Sequence, residues 1–304
     1  MAAAVAQNSA PVQKKQEAEK TESLWKDVWY SLRQNIPAMV SLGVIALLAL
    51  IAIVTFIAPQ VLLYDPYQQD LSASFQGPSA AHWFGTDQQG RDIFCRVLIG
   101  SQISLTVGLL SVAISLTIGV TLGALAGYKG GVLDTVIMRV MDMMLAIPSI
   151  LLAIAFMAAL GRGIDKAIIA IGFVSIPEYA RIVRSQVLSV KQSDYVAAAR
   201  VIGDSDALII FRHVLPNVMP SIIVRATLGI SSAILDAAAL GFLGLGVQPP
   251  AAEWGDMLGR GRNYIFAAPH AMIFPGLAIT VTVLAFNLLG DGIRDAFDPK
   301  SRNR

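Results

Sequence analysis

Residues 38–58 read AMVSLGVIALLALIAIVTFIA, and no Asp, Glu, Lys or Arg falls between Arg33 and Asp65. A bilayer core about 30 Å thick takes about 20 apolar residues of helix. Lipid offers no water to satisfy a non-helical backbone, so the segment reads as a membrane-crossing helix. Three further stretches have the same character: one between Arg96 and Lys129, one from Met143 to Gly161 preceded by Val132–Met141, and one between Arg262 and Asp291. Two weaker ones complete the set. Ala167–Pro177 needs extension to Leu188, with Arg181 and Arg184 snorkelling to the inner surface. Val218–Val247 is interrupted by Arg225 and Asp236. The expected fold is all-α, a polytopic membrane protein with about six spans near 38–58, 102–127, 133–160, 167–188, 217–246 and 270–290.

The composition of the 304 residues agrees: 55% are hydrophobic and 14% charged, against about 45–50% and about 25% in soluble domains. Net charge is +2, which gives no reason to expect a nucleic-acid partner; lipid is the expected surrounding. A single cysteine, Cys95, rules out an intrachain disulfide and a thiolate metal cluster. The histidines His82, His213 and His270 are far apart, so no metal site is expected. No Gly-Lys dipeptide occurs, so there is no Gly-x-x-x-x-Gly-Lys phosphate loop, and the chain is not expected to hydrolyse ATP by that route. Neither His-Glu-x-x-His nor a credible nucleophile elbow is present, so an enzyme is not expected.

Two regions are expected: a cytoplasmic tail at 1–36 and a membrane domain at 37–304. The tail carries Lys14, Lys15, Glu17, Glu19, Lys20 and Glu22, and no secretory signal is expected in it. Its segment Leu24–Tyr30 is either an amphipathic helix on the membrane surface or part of a poorly ordered leader. With six spans and an inner N-terminus, inner segments hold sixteen of the 23 lysines and arginines and outer segments six. That bias places both termini in the cytoplasm.

Two outer loops, near Pro59–Ser101 and Gln248–Pro269, are long enough to meet a partner or cap a pathway. In the second span Ser111, Ser115, Gly119, Gly123 and Gly127 recur every fourth residue and share one helix face. Small side chains let two backbones approach, so this face, Gly119, Gly123 and Gly127 above all, is expected to pack on another helix; glycine is also simply frequent in membrane helices. Pro148 should kink the third span, as plain packing or as a hinge.

The long inner loop, roughly Val190–Pro216, is the most informative segment of the chain. Ser193 or Asp194 can cap a helix, Tyr195 and the alanines Ala197, Ala198 and Ala199 carry it past Arg200, and Gly203 can end it. Asp204-Ser205 can cap a second helix that Pro216 stops. Such a pair suits a groove in a cytoplasmic partner, or lies on the membrane as an amphipathic connector.

This loop resembles the cytoplasmic signature of bacterial ABC importer permeases: Glu-Ala-Ala, three residues, Gly, nine residues, Ile-x-Leu-Pro. Ala198, Ala199, Gly203, Leu215 and Pro216 match it; Ala197 and His213 stand where the family carries Glu and Ile. The resemblance extends to the C-type permeases of dipeptide and oligopeptide importers. It rests on the outer-loop run with Gly85, Asp87, Gly90, Arg91 and Asp92, on Leu240–Gly246 with Gln248-Pro249-Pro250 and Glu253-Trp254-Gly255, and on Ala285–Gly292 through Asp298-Pro299. It implies a permease subunit that couples to ATPases through residues 194–216 (Asp194, Tyr195, Ala198, Ala199, Arg200, Gly203, Leu215, Pro216). The implied partners are a second, B-type permease, two cytoplasmic ATPase subunits that carry ATP and magnesium, and an external solute-binding protein. It implies the bacterial inner membrane, and a peptide substrate with glutathione or nickel as alternatives.

Arg225 and Asp236 are eleven residues apart, about 16 Å along one helix face. Either they line a wet pathway or neighbouring helices satisfy them. Asp142 is expected to pair locally with Arg139, and Met138, Met141, Met143 and Met144 to serve packing. A secondary transporter is the rival class, but it would want charged relays at the midplane and no docking loop.

Overall fold

The computed structural model describes residues 25–298, so the tail at 1–24, Leu24 of the amphipathic segment included, and Pro299 onward lie outside the described residues. Among the described residues all regular elements are helical, apart from an isolated bridge between Thr86 and Asp92. A helix over 25–34 (α1) leads through Asn35 into α2 (Ile36–Ile57). The Asn35 side chain accepts from the Ala38 amide at 3.1 Å, and Pro37 sits in the first turn, where an amide would go unpaired anyway. Leu47, Leu50, Ile53 and Phe56 of α2 are exposed, an apolar surface fit for lipid.

Helix α3 (Ile93–Lys129) starts nine residues before the expected second span. Asp92 caps it, accepting from the Cys95 amide at 2.8 Å, so residues 93–101 are helix and not outer loop. The expected single span at 133–160 is two helices, α4 (Gly131–Leu145) and α5 (Ser149–Leu160), bent by 91°. Pro148 precedes α5, and a residue before proline is pushed out of helical geometry, so the break falls there. With twelve residues, α5 rises about 18 Å and is too short to cross alone. Helix α6 (Ile164–Val190) follows. Then come α7 (Asp194–Ile202) and α8 (Asp206–Ile209), which passes through a π turn at Ile210–Val214 into α9 (Leu215–Phe242). Pro216 does not stop the second helix of the loop. It sits in the first turn of α9, and the wider π turn ahead of it lets the rod continue from Asp206 to Phe242. Helices α10 (Trp254–Gly261) and α11 (His270–Phe297) complete the chain.

Among the described residues four rods are long and apolar enough to cross a membrane, α2, α3, α8–α9 and α11, and the bent pair, taken as one span, makes a fifth. The sixth expected span, α6, is long enough but carries Asp165, Lys166, Glu178, Arg181 and Arg184. It is nonetheless the heart of the bundle, with Ala170, Ile171, Tyr179, Ala180 and Val183 buried against α3 and α9.

The face Ser111–Gly127 lies along α6. A methyl group on Gly119 would come 2.6 Å from Tyr179 Cβ, and one on Gly123 would overlap the Ala180 carbonyl oxygen. Gly172 answers from α6, with the Ser111 carbonyl oxygen 3.0 Å from where its methyl would stand. Backbones this close gain dispersion contacts along their whole length, which drives association where lipid supplies no hydrophobic force. At one end of the bundle Val28, Leu32, Ala38 and Ala296 form a cluster. The start of α2 and the end of α11 therefore share that end.

The two outer-loop segments pack on each other at the opposite end. Arg96, at 1% exposure, donates to the Pro66 carbonyl at 2.9 Å; Trp254 donates to the Val97 carbonyl at 2.9 Å; Phe84 stacks on Phe274 at 3.9 Å. The loops thus form a folded cap.

Candidate functional site

Helix α7 begins after Ser193, whose hydroxyl donates to the Val190 carbonyl (2.6 Å) and does not cap the new helix. It ends at Gly203 in the left-handed region, φ +96°, where the Gly203 amide bonds the Arg200 carbonyl (3.1 Å) and the Asp204 amide the Ala199 carbonyl (3.1 Å). Ser205 caps α8 through the Leu208 amide at 3.3 Å.

Burial divides the loop into two faces. Val196 and Ala199, one turn apart, sit in a cluster with Val187 of α6, Ala124 and Tyr128 of α3, Val214 at the end of the π turn and Val218 of α9. Burying a valine this way contributes about 1.5–3 kcal/mol. Polar ties hold the same junction: Lys129 pairs with Asp206 at 2.7 Å, Tyr128 Oη donates to Asp206 at 3.0 Å, Lys191 donates to the Tyr128 carbonyl, and Arg200 lies over the Tyr128 ring at 5.2 Å. The opposite face presents Tyr195, Val201 (88% exposed), Ile202 (82%) and Phe211 (72%). Of the expected coupling residues, Asp194, Tyr195, Ala198, Arg200, Gly203 and Pro216 are exposed, Ala199 faces inward and Leu215 is partly buried against the cluster. The exposed apolar residues Val201, Ile202 and Phe211 were missed because they carry no motif.

A second feature lies deeper. A cavity of about 260 Å³ between α3, α6 and α9 is lined by Ser111, Ser115, Ser175, Glu178, Arg225 and Asp236 among others. Arg225 forms an ion pair with Glu178 across α6 and α9, and its guanidinium lies over Tyr179 at 5.6 Å. Gly229 makes room for the Tyr179 hydroxyl. Arg225 also lines an adjacent cavity of about 400 Å³ with Gln186, Ser221 and Arg294. Arg225 and Asp236 thus share one cavity, while Glu178 was overlooked because it lay in a helix read for its length. Asp142 does not pair with Arg139. It takes Arg181 of α6 at 2.8 Å, and Asp134 takes Arg184 at 2.6 Å, so both arginines clamp α4 onto α6 rather than snorkel freely.

In the folded loop cap, Asp87 accepts from the amides of Gln89 (2.8 Å) and Arg91 (3.1 Å) and from Arg91 Nε at 2.7 Å. Gly90 is left-handed, φ +72°, and its α-carbon abuts the Asp70 carbonyl, where no side chain fits. Gly85 has the same sign of φ, and Asp92 holds His82 at 2.8 Å besides capping α3. These motif residues fold the cap. Glu253 caps α10, accepting from the amides of Gly255 and Asp256, both at 2.8 Å; burial pushes its carboxyl up to about 7. Among the described residues no group of three or more His, Cys, Asp or Glu gathers to hold a metal.

The described residues thus form an all-helical membrane bundle with an ordered short helix, α7, between two of its long rods. Residues 119–303 match the family described as binding-protein-dependent transport system inner membrane component, and residues 23–78 match the N-terminal TM domain of oligopeptide transport permease C. The chain belongs to this family: it is a permease subunit of an ABC importer, of the C type, and not an enzyme. It is 47% identical over 281 residues (92% of this chain, 91% of the relative) to the dipeptide transport system permease protein DppC of Alkalihalophilus pseudofirmus. It is 47% identical over 281 residues (92% of each) to the glutathione transport system permease protein GsiD of Pectobacterium atrosepticum. It is 49% identical over 276 residues (91% of each) to a protein of Escherichia coli K12 named probable D,D-dipeptide transport system permease protein DdpC. Among solved structures, an inward-facing MetNI methionine ABC transporter aligns with a TM-score of 0.57 at 19% identity, covering 68% of this chain and 98% of that one. That likeness speaks to fold alone.

Proposed function

We propose that this subunit forms half of the path for short peptides through the bacterial inner membrane, and that α7 with Phe211 is the handle by which cytoplasmic ATPases move it. The carrying observation is that α7 buries Val196 and Ala199 on its own bundle while presenting Val201, Ile202, Tyr195 and Phe211 outward. Water gives no reason to order so apolar a face; a groove in a partner does. The ATPase dimer carries ATP and magnesium, so this chain needs no cofactor of its own. On closing, the dimer pulls α7, and α6 and α9, which flank it in the chain, rock with it. A B-type sister permease supplies the other half of the path, an external solute-binding protein delivers the substrate to the folded outer cap, and both termini of the chain lie in the cytoplasm. The peptide reading is supported by relatives named for dipeptides; one named for glutathione, itself a peptide, keeps that substrate within the same class.

The test is Val201→Asp with Ile202→Asp, made in the full importer. Both side chains are exposed, so the bundle should fold, while co-purification of the ATPase subunits should fall at least tenfold and uptake with it. Gly203→Leu, which forces a side chain into left-handed backbone at about 1–2 kcal/mol, should insert normally yet uncouple uptake from ATP hydrolysis. Wild-type ATPase recovery and uptake in both variants would remove the handle.

A further inference from the structure

We propose that the cavity between α3, α6 and α9 is a transit site for the two charged ends of a short peptide, with Asp236 receiving the ammonium and Arg225 the carboxylate. The proposal rests on the peptide reading above and specifies the chemistry of the path. Three observations carry it. First, Asp236 lines the cavity, and among the described residues it has no ion-pair or hydrogen-bond partner. A carboxylate facing a membrane-embedded cavity unpaired is an acceptor awaiting a cation. Second, the opposite end offers spare donors. Glu178 holds Arg225 in place, yet Arg225 Nε is buried with no acceptor, as is the Tyr179 hydroxyl beside it at 2% exposure. Buried donors without acceptors are costly unless a ligand completes them. Third, the spacing fits. Eleven residues of α9 separate the two Cα atoms by about 16 Å. An extended chain covers about 3.3–3.6 Å per residue, and the side chains shorten the gap, so peptides of about two to four residues match.

The site is a way station and need not select tightly. A path must bind weakly enough to release. Ser175 and Ser232 also line the cavity and are not buried, and their hydroxyl oxygens can accept from any peptide backbone. The Arg225 end also lines the adjacent 400 Å³ cavity, so the carboxylate-receiving group stands at the boundary between the two chambers.

The experiment uses the complete importer in proteoliposomes, with radiolabelled dialanine and glutathione as probes and ATP hydrolysis measured in the same vesicles. Asp236→Asn is expected to lower uptake of at least one probe per ATP hydrolysed at least tenfold, and Asp236→Glu to restore most of it. Uptake per ATP unchanged in Asp236→Asn overturns the transit site and leaves the peptide reading standing. Wild-type vesicles that move neither probe overturn both. A second measurement covers an Asp236→Asn chain that fails to assemble. Ser232 lines the cavity, and the sole native cysteine, Cys95, is buried. Ser232→Cys in a Cys95→Ser background, assembled with partner subunits freed of cysteine, therefore gives one reactive thiol. Dialanine or S-methylglutathione, which has no free thiol to consume the reagent, should during turnover slow its labelling by a small polar reagent at least threefold; labelling indifferent to both overturns the site.

Discussion

Gly123 has no room for a side chain. A methyl there would overlap the Ala180 carbonyl oxygen on α6 and come 3.0 Å from Val183 Cβ. The obstacle is backbone, which cannot rotate away, so Gly123→Leu should force α3 from α6. Overpacking of this kind costs about 1–3 kcal/mol or more, and the detergent-solubilised variant should melt several degrees lower. Gly43 meets nothing within 4 Å, so Gly43→Leu should leave the melting temperature nearly unchanged. A variant pair that melts alike would refute the close-approach account. The recurrence of small residues every fourth position was legible in the chain; that α6 was the recipient was not, because α6 answers with Gly172 and Ala180 in no comparable pattern. Ala199 teaches the same lesson. Its motif match said that it mattered, and only the fold shows that it faces inward.

The element that carries a pH dependence is α10. Its cap Glu253 is 3% exposed and accepts two amide hydrogen bonds, which favour the charged form, but desolvation outweighs them and raises the carboxyl from 4.5 to about 7. The folded state therefore holds a proton that the unfolded chain has lost. Its contribution to stability is fully present below about 4.5 and disappears as pH rises to about 7. The melting temperature of the solubilised protein should fall across that window, and Glu253→Gln should flatten the fall. A wild-type profile that rises from pH 5 to 7 for this reason would contradict the buried cap, and so would a Gln variant that keeps the slope. Capping signals were partly visible in sequence: Ser205 caps as expected, while the caps Asn35 and Asp92 appear only in the structure. Pro216 misled, because a proline in the first turn after a π turn continues a helix instead of ending it. Pro148 showed that a break was coming, but not its 91° size, which depends on α4 being clamped to α6 by Asp134–Arg184 and Asp142–Arg181.

At the scale of the molecule, the bundle separates a folded loop cap at one end from α7 and both described chain ends at the other. If the arginine and lysine bias orients it as proposed, an impermeant thiol reagent should label Gly77→Cys, in a Cys95→Ser background, in intact spheroplasts. Ala198→Cys should react only after permeabilisation. Gly77 has open space around it and Ala198 is exposed, so neither should disturb the fold, and the reverse pattern would invert the topology. Apolar length and glycine periodicity were enough, before any coordinates, to specify helices, a membrane and a close-packing helix face, and the motif resemblance was enough to point to an importer family. These are properties of contiguous residues, and helix geometry and lipid thickness act on contiguous residues. The pairing of Glu178 with Arg225, the inward turn of Ala199, the exposed patch from Val201 to Phe211 and the cavity shared by Arg225 and Asp236 were decided by tertiary structure alone. Each joins side chains brought together by the packing of α3, α6 and α9, and the free energy of such contacts depends on distances that no single stretch of chain contains.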